Sequence, residues 1–177
     1  MRRGMVVLLG LCLAACSRGG SPEVGRELPD SITVRSPAFT DGARIPARFT
    51  CADADVAPAL AWSGVPKDAV ELALVVDDPD APGGGYVHWV VFHLDPALPG
   101  LQEGRLPPDA RQARNSGGEA AYAGPCPPSG PAHHYRFTLY ALSGHLDLPD
   151  RAKLDQTLRD VAKAATAQGR LTGTFAR

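Results

Sequence analysis

The chain has 177 residues, and 18 Lys and Arg stand against 19 Asp and Glu, a formal net charge of −1. So even a balance gives no electrostatic case for nucleic acid, whose binders concentrate positive charge on one face. The length fits one domain with a proper core, and 19 Gly with 17 Pro point to a chain that turns often.

Residues 1–15 read as an export signal rather than as part of the fold. Arg2 and Arg3 form a positive start, and Met5 to Ala15 is an apolar run too short for a permanent membrane span, which needs about 20 residues. The run ends in Leu13-Ala14-Ala15-Cys16, with small residues where a signal peptidase pocket is narrow. This resembles bacterial lipoprotein signals, which implies cleavage before Cys16 and its diacylation. An ordinary secretory signal with an incidental cysteine is the alternative. Ser17, rather than Asp, follows Cys16, and by resemblance to lipoprotein sorting in Gram-negative bacteria this favours the outer membrane, facing the periplasm. Cleavage leaves 162 residues and removes Arg2 and Arg3, moving the formal charge to −3. Residues 16–30 then form the lipidated cysteine and a polar, Gly- and Pro-containing tether, and residues 31–177 the folded domain.

The strands announce themselves in order. Ser31 to Phe39 alternates, Asp41-Gly42 is a turn, and Arg44 to Thr50 is a candidate second strand. Ala59 to Trp62 is a short apolar run. Val70 to Val76 and Tyr86 to Leu94 are nearly continuous apolar runs, the pattern of strands buried on both faces. Residues 95–121 read as a proline-rich loop, Tyr135 to Leu142 as a strong strand. Leu154, Leu158, Val161, Ala162 and Ala165 make one apolar helical stripe, with Asp150 as expected N-cap and Gly169 as expected stop. Leu171 to Ala176 would be the last strand. Short strands, frequent turns and one late helix predict an all-β, antiparallel β-sandwich with peripheral helices. In an exported protein Cys51 and Cys126 are expected to pair, two free thiols being the alternative. Neither sits in a zinc-type spacing, and no metal or cofactor is expected.

Two Pro/Gly loops carry the polar chemistry. Asp77-Asp78-Pro79-Asp80-Ala81-Pro82 leads into the strand bearing His88 and His93, and Tyr122-Ala123-Gly124-Pro125-Cys126-Pro127-Pro128 leads towards His133-His134-Tyr135. Prolines stiffen both loops, and Ala81–Pro82 is a candidate cis peptide. Gly124 and Gly130 are expected to leave room for a ligand near the backbone. In regular strands His88 and His93, five apart, face opposite ways, as do His133 and His134. His88 and His133 therefore remain as the pair able to share a site. Such a pocket suits a small anion, with neutral imidazole N–H and Tyr O–H donating and an Asp orienting a His. A turn with solvated carboxylates and a satisfied core histidine is the plain alternative.

These two motifs, with the Pro58-to-Pro66 pattern before them and Leu171 to Arg177 after, resemble the phosphatidylethanolamine-binding protein family, also called the Raf kinase inhibitor protein family, in its bacterial and archaeal branch. The resemblance covers Ile32 to Arg177. It implies a Greek-key β-sandwich and a pocket for phosphoryl-type anions formed by Asp78, His88, Pro128, His133 and Tyr135, with Asp80, Tyr122 and Gly124 at the rim. The family's His-Arg-Tyr reads His133-His134-Tyr135 here, so a structural salt bridge is expected to be lost.

The expected function is non-enzymatic binding of a small anionic ligand or phospholipid head group at the cell envelope, with the membrane reached through Cys16. The alternative is an inhibitor or regulatory partner of an envelope protein such as a protease, presenting the 95–121 loop. A hydrolase using Asp78, His88 and His133 is a third reading. No nucleophile elbow surrounds Ser129.

Overall fold

The computed structural model describes residues 27–177; the expected signal, Cys16 and most of the tether lie outside the described residues. Eight strands appear in the order β1 Thr33–Arg35, β2 Leu60–Ser63, β3 Glu71–Asp78, β4 Tyr86–Leu94, β5 Gly100–Leu101, β6 Arg111–Gln112, β7 His133–Leu142 and β8 Ala165–Phe175. One helix, α1 Leu154–Ala164, immediately precedes β8. The strands form two antiparallel sheets, ordered β1-β2-β5 and β6-β4-β3-β7-β8. The architecture is the expected sandwich.

The continuous apolar runs have a direct cause. One face of the five-stranded sheet, with Leu72, Leu74, Val76, Phe137 and Leu139, packs with Trp62, Leu60 and Val34 of the small sheet. The other face, with Ala73, Val75, Val90, Phe92 and Leu142, is covered by Leu158 and Val161 of α1 and by Leu146 and Leu148. β3, β4 and β7 are thus buried on both sides, so apolar residues dominate both of their faces. β8, at the edge, alternates buried and open positions. Its free side is not left bare: Gln168, Thr172 and Thr174 exchange backbone hydrogen bonds with Pro29, Ile32, Gly42, Ala43 and Ile45. Covering an edge in this way removes a template for unwanted strand pairing.

β4 carries two bulges. Val76 pairs with Trp89 but Asp77 pairs with Val87, leaving His88 extra. Leu72 pairs with Leu94 but Leu74 with Val91, leaving another extra residue before Leu94. At the second bulge His93 sits at φ 58°. The parity argument for the histidines assumed a regular strand. Each bulge resets the alternation, yet His88 ends beside Tyr135 and His93 beside Phe92 and His145, so they do face opposite ways.

Several expected boundaries are corrected. Arg44 to Thr50 is not a strand. Arg44 makes one isolated bridge with Thr174, and Ala47–Phe49 is a 3-10 turn after Pro46, whose missing N–H and fixed φ break a ladder. The 95–121 loop contains the short strands β5 and β6. Asp150 does not cap α1; its carboxylate accepts from Gln112 N (3.0 Å), and the helix begins after Lys153. The helix ends at Ala164, and Gly169 lies inside β8, five residues into the strand. A Cβ there would stand 1.9 Å from the Ile32 carbonyl oxygen, so this glycine admits the covering segment rather than ending a helix. Ala81–Pro82 is trans, as are all peptide bonds among the described residues. No helix among the described residues is long and apolar enough to cross a membrane.

Candidate functional site

The polar residues singled out above meet where β3 ends and β4 and β7 begin. Asp78 is the last residue of β3 and pairs with Tyr86, the first of β4. Asp77 pairs with Arg136, which puts Asp78 level with Tyr135 on the face shared with Val76 and Phe137. His133 opens β7 on that same face, two residues before Tyr135. The bulge at His88 turns its ring towards Tyr135, 5.3 Å between centroids in an edge contact. Together with Ala81, Pro82, Ala123, Gly124, Pro127 and Pro128 these side chains line a cavity of about 380 Å³.

Each site residue is fixed by neighbours. His133 Nδ1 lies 2.7 Å from Asp78 Oδ2, and Asp78 Oδ1 accepts from Asp80 N at 2.8 Å, so the carboxylate is clamped between its own turn and the imidazole. His88 Nδ1 donates to Ala123 O at 2.6 Å. Asn115, buried, bonds the carbonyls of His88 and Ala121 through Nδ2 and accepts from Gly117 N and Glu119 N through Oδ1. Burial pushes the His88 imidazole below its ordinary pKa, against the opposing pull of the Ala123 carbonyl and of Asp78. Burial, followed by the charge of Asp78, raises the Tyr135 phenol, which keeps its proton. That hydroxyl is buried and lies against Asp78, its nearest acceptor, so Asp78 faces both His133 and Tyr135.

The expectation that neutral imidazole N–H groups face the ligand is overturned. A carbonyl oxygen only accepts, so the neutral His88 ring carries its proton on Nδ1, pointing at Ala123 O. His133 likewise directs Nδ1 at Asp78. In their neutral forms both rings therefore offer Nε2 lone pairs, not donors.

The remaining expectations sort as follows. Pro128 and Gly124 line the cavity, but Gly124 does not leave room for a ligand. A Cβ there would meet Asp55 Oδ1 at 2.3 Å and Phe49 O at 2.6 Å, so its bareness admits the 49–55 loop; Gly124 N donates to Asp55 at 2.7 Å. Gly130 is not among the lining residues. Tyr122 turns away, donating to Phe49 O at 2.8 Å and packing edge-on against Trp89. Asp80 is likewise outside the lining and holds His134 through its N and Nδ1, at 2.8 and 2.7 Å. Burial alone would raise the Asp80 pKa, but the His134 contacts together lower it. Position 134, where the family carries arginine, thus still has an acidic partner here, and the pair carries a full charge only when His134 is protonated. Arg136 pairs with Asp77 on the opposite face.

Cys51 and Cys126 form the expected disulfide, Cα–Cα 5.4 Å, and both line the cavity. Asp55, Tyr86 and Asn115 escaped the sequence reading. Only Asp55, an acid within the loop that follows Cys51, left a visible signal there. A larger cavity of about 620 Å³ lies beside β2 and β5, lined chiefly by Leu60, Leu98, Leu101 and Leu106 with Arg105, but it gathers no acid–histidine pair.

Comparison with known proteins agrees with this arrangement. The family model described as phosphatidylethanolamine-binding protein matches residues 35–176. A Mycobacterium tuberculosis protein carrying a lipoprotein name, LppC, is 51% identical over 147 residues, covering 82% of this chain and 73% of the relative. A Methanothermobacter thermautotrophicus protein is 42% identical over 151 residues, covering 82% of this chain and 99% of the relative. Among solved structures, Escherichia coli YbcL, described as a member of the mammalian PEBP family, superposes with TM-score 0.79 at 28% identity, covering 83% of this chain and 99% of its own. The CT736 homolog from Chlamydia trachomatis gives 0.78 at 34%, covering 84% and 99%. With the family model spanning nearly all of the sandwich and the relatives matching over most of their length, the chain belongs to the phosphatidylethanolamine-binding protein family.

Proposed function

We propose that this protein is a non-enzymatic binding protein that holds a small phosphoryl-type anion in the Asp78–His88–His133–Tyr135 cavity at the cell envelope. The observation that carries the reading is the convergence of Asp78, His88, His133 and Tyr135 on one cavity whose two imidazoles are each locked from behind. The lining also favours binding over group transfer: its hydroxyls are phenols, and its two thiols are consumed in the disulfide. A preformed, mostly apolar cavity with a few convergent polar groups is the usual form of a small-ligand site.

The test is calorimetric titration of phosphoethanolamine and inorganic phosphate into the purified protein and into His133→Ala and Asp78→Asn. Saturable binding to the wild type, weakened at least about tenfold in both variants, is expected. Wild-type affinity in folded variants would remove the cavity from the function.

Anchoring through Cys16 is part of the same proposal. It rests on the Leu13-Ala14-Ala15-Cys16 sequence and on the lipoprotein name of the mycobacterial relative. Cys16→Ser is expected to move the protein from the membrane fraction to the soluble fraction on cell fractionation. An unchanged distribution would leave the sandwich without a lipid anchor.

A further inference from the structure

The charges of the cavity do not, as they stand, suit an anion. Asp55 and Asp78 line it, and no Lys or Arg does among the described residues. Arg177, whose guanidinium touches Cys126 Sγ, is exposed and lies outside the lining. Both imidazoles spend Nδ1–H on groups behind them, Ala123 O and Asp78 Oδ2. With both rings neutral, the atoms left to the ligand are two Nε2 lone pairs, and the Tyr135 hydroxyl lies against Asp78. A fully ionised phosphate dianion would set its oxygens against two lone pairs and two carboxylates. One added proton changes this: shared between a phosphate oxygen and Nε2, it turns one repulsive contact into a hydrogen bond.

We propose that the cavity takes its phosphoryl ligand together with one proton, and so selects phosphate monoesters, which can carry that proton as P–OH, over phosphodiesters, which cannot. The inference rests on the anion-binding reading above. The groups facing the two rings give it a direction. His88 is surrounded by Asp55, Asp77, Asp78, Tyr86 and Tyr135, and Asp77 is neutralised by Arg136. His133 faces Asp78, Asp80 and Tyr135, and His134 offsets Asp80 when charged. Burial disfavours an imidazolium at His88. A diester must therefore drive protonation of a ring, whereas a monoester, with its second pKa near 6, arrives with the proton or collects it at little cost. No bond to phosphorus forms or breaks; the proton comes from solvent and returns on release.

The sign follows from linkage. The complex binds one more proton than the separated partners above about pH 6, so affinity is highest at low pH and falls by up to about tenfold per pH unit as pH rises.

The test uses the full chain in detergent. Phosphoethanolamine, a monoester, and glycerophosphoethanolamine, the diester head group of a phospholipid, are titrated calorimetrically at pH 6.0 and 8.0. The pH 8.0 titrations are run in two buffers of different ionisation enthalpy, which counts protons taken up. Thermal melts at each pH confirm folding. The expected result is uptake of about one proton per monoester at pH 8.0, an affinity about tenfold or more higher at pH 6.0, and a diester weaker by at least about tenfold at both. Monoester binding with no proton uptake and equal affinity at the two pH values overturns the inference while leaving the anion site standing. Equal affinity for monoester and diester overturns the selectivity. Failure of both ligands to bind folded protein at either pH overturns the anion site and this inference with it.

Discussion

Replacing Cys51 and Cys126 together by Ser is expected to lower the unfolding free energy by about 2–4 kcal/mol. The bridge joins residues 75 apart in sequence, and closing so long a loop in the unfolded chain accounts for about 4 kcal/mol on the chain-entropy model. The effect should reach the ligand site, because the bridge lies in the cavity wall and ties the 49–55 loop to the 122–128 loop. The other ties there are three hydrogen bonds, each weaker than the covalent bridge: Cys51 N to Pro125 O at 3.2 Å, Gly124 N to Asp55 at 2.7 Å and Tyr122 to Phe49 O at 2.8 Å. Affinity for phosphoethanolamine should therefore fall along with stability. Both cysteines are exposed, so a mild reductant should reproduce the loss in the wild type and do nothing further to the double variant. Urea midpoints read the first effect and calorimetry the second. Coincident midpoints for wild type and variant would show that the bridge contributes nothing to the fold.

The parts of this molecule that were legible beforehand are those where one physical demand dominates. β3, β4 and β7 must be apolar on both faces because a sheet and a helix layer cover them, and that demand writes continuous Val, Leu and Phe runs into the sequence. The disulfide was legible from the export signal read at the start of the chain and from Cys51 and Cys126 being the two cysteines beyond Cys16. The misplaced boundaries are places where two demands coincide in the same residues. Ala162 to Ala167 serves equally as the end of a helical stripe and the start of an alternating strand. The chain passes from α1 to β8 with no loop between them, so no turn residue marks the change. Gly169 looked like a helix stop because a glycine that admits a neighbouring backbone and one that ends a helix are the same letter.

The site shows a similar division. Asp78, His88, His133 and Tyr135 were identified as residues, and the structure brings all four to one cavity. The direction of their protons could not be read from the sequence. It depends on Ala123, a residue with no polar side chain, whose carbonyl happens to face His88. It also depends on a bulge, which adds one residue to a strand without any distinctive letter. Backbone acceptors are the least visible part of any site, and here they decide what the histidines can offer.

Glu71→Ala is expected to cost about 2–5 kcal/mol, although Glu71 lies far from the cavity, at the start of the same strand that Asp78 ends, about 23 Å away along β3. Glu71 is 1% exposed. Its Oε1 accepts from His93 N at 3.0 Å, and its Oε2 accepts from Leu146 N at 3.3 Å and faces His145 Nδ1 at 3.2 Å. The second bulge of β4 explains the need for it. The extra residue there denies His93 a ladder partner and leaves it at φ 58°, so its amide would be an orphan without the carboxylate. His93 Nε2 then reaches Leu146 O at 2.8 Å, which ties the 143–148 segment, and through Leu146 and Leu148 the helix-side core, to the end of the sheet. Alanine would deprive two amide donors of their carboxylate, beside a cavity of about 360 Å³ that Glu71, His93 and His145 line. Glutamine keeps one carbonyl acceptor and should cost less, about 1–2 kcal/mol. Urea unfolding of the two variants checks the order, and a Glu71→Ala protein as stable as wild type would mean that those amides find other partners. Binding supplies the sharper comparison. Because the two bulges of β4 are braced separately, one by Glu71 and the other by Ala123 and Asn115, the folded Glu71→Ala protein should keep wild-type affinity for phosphoethanolamine. Loss of binding in that folded variant would show instead that β4 carries strain from one end of the sandwich to the other.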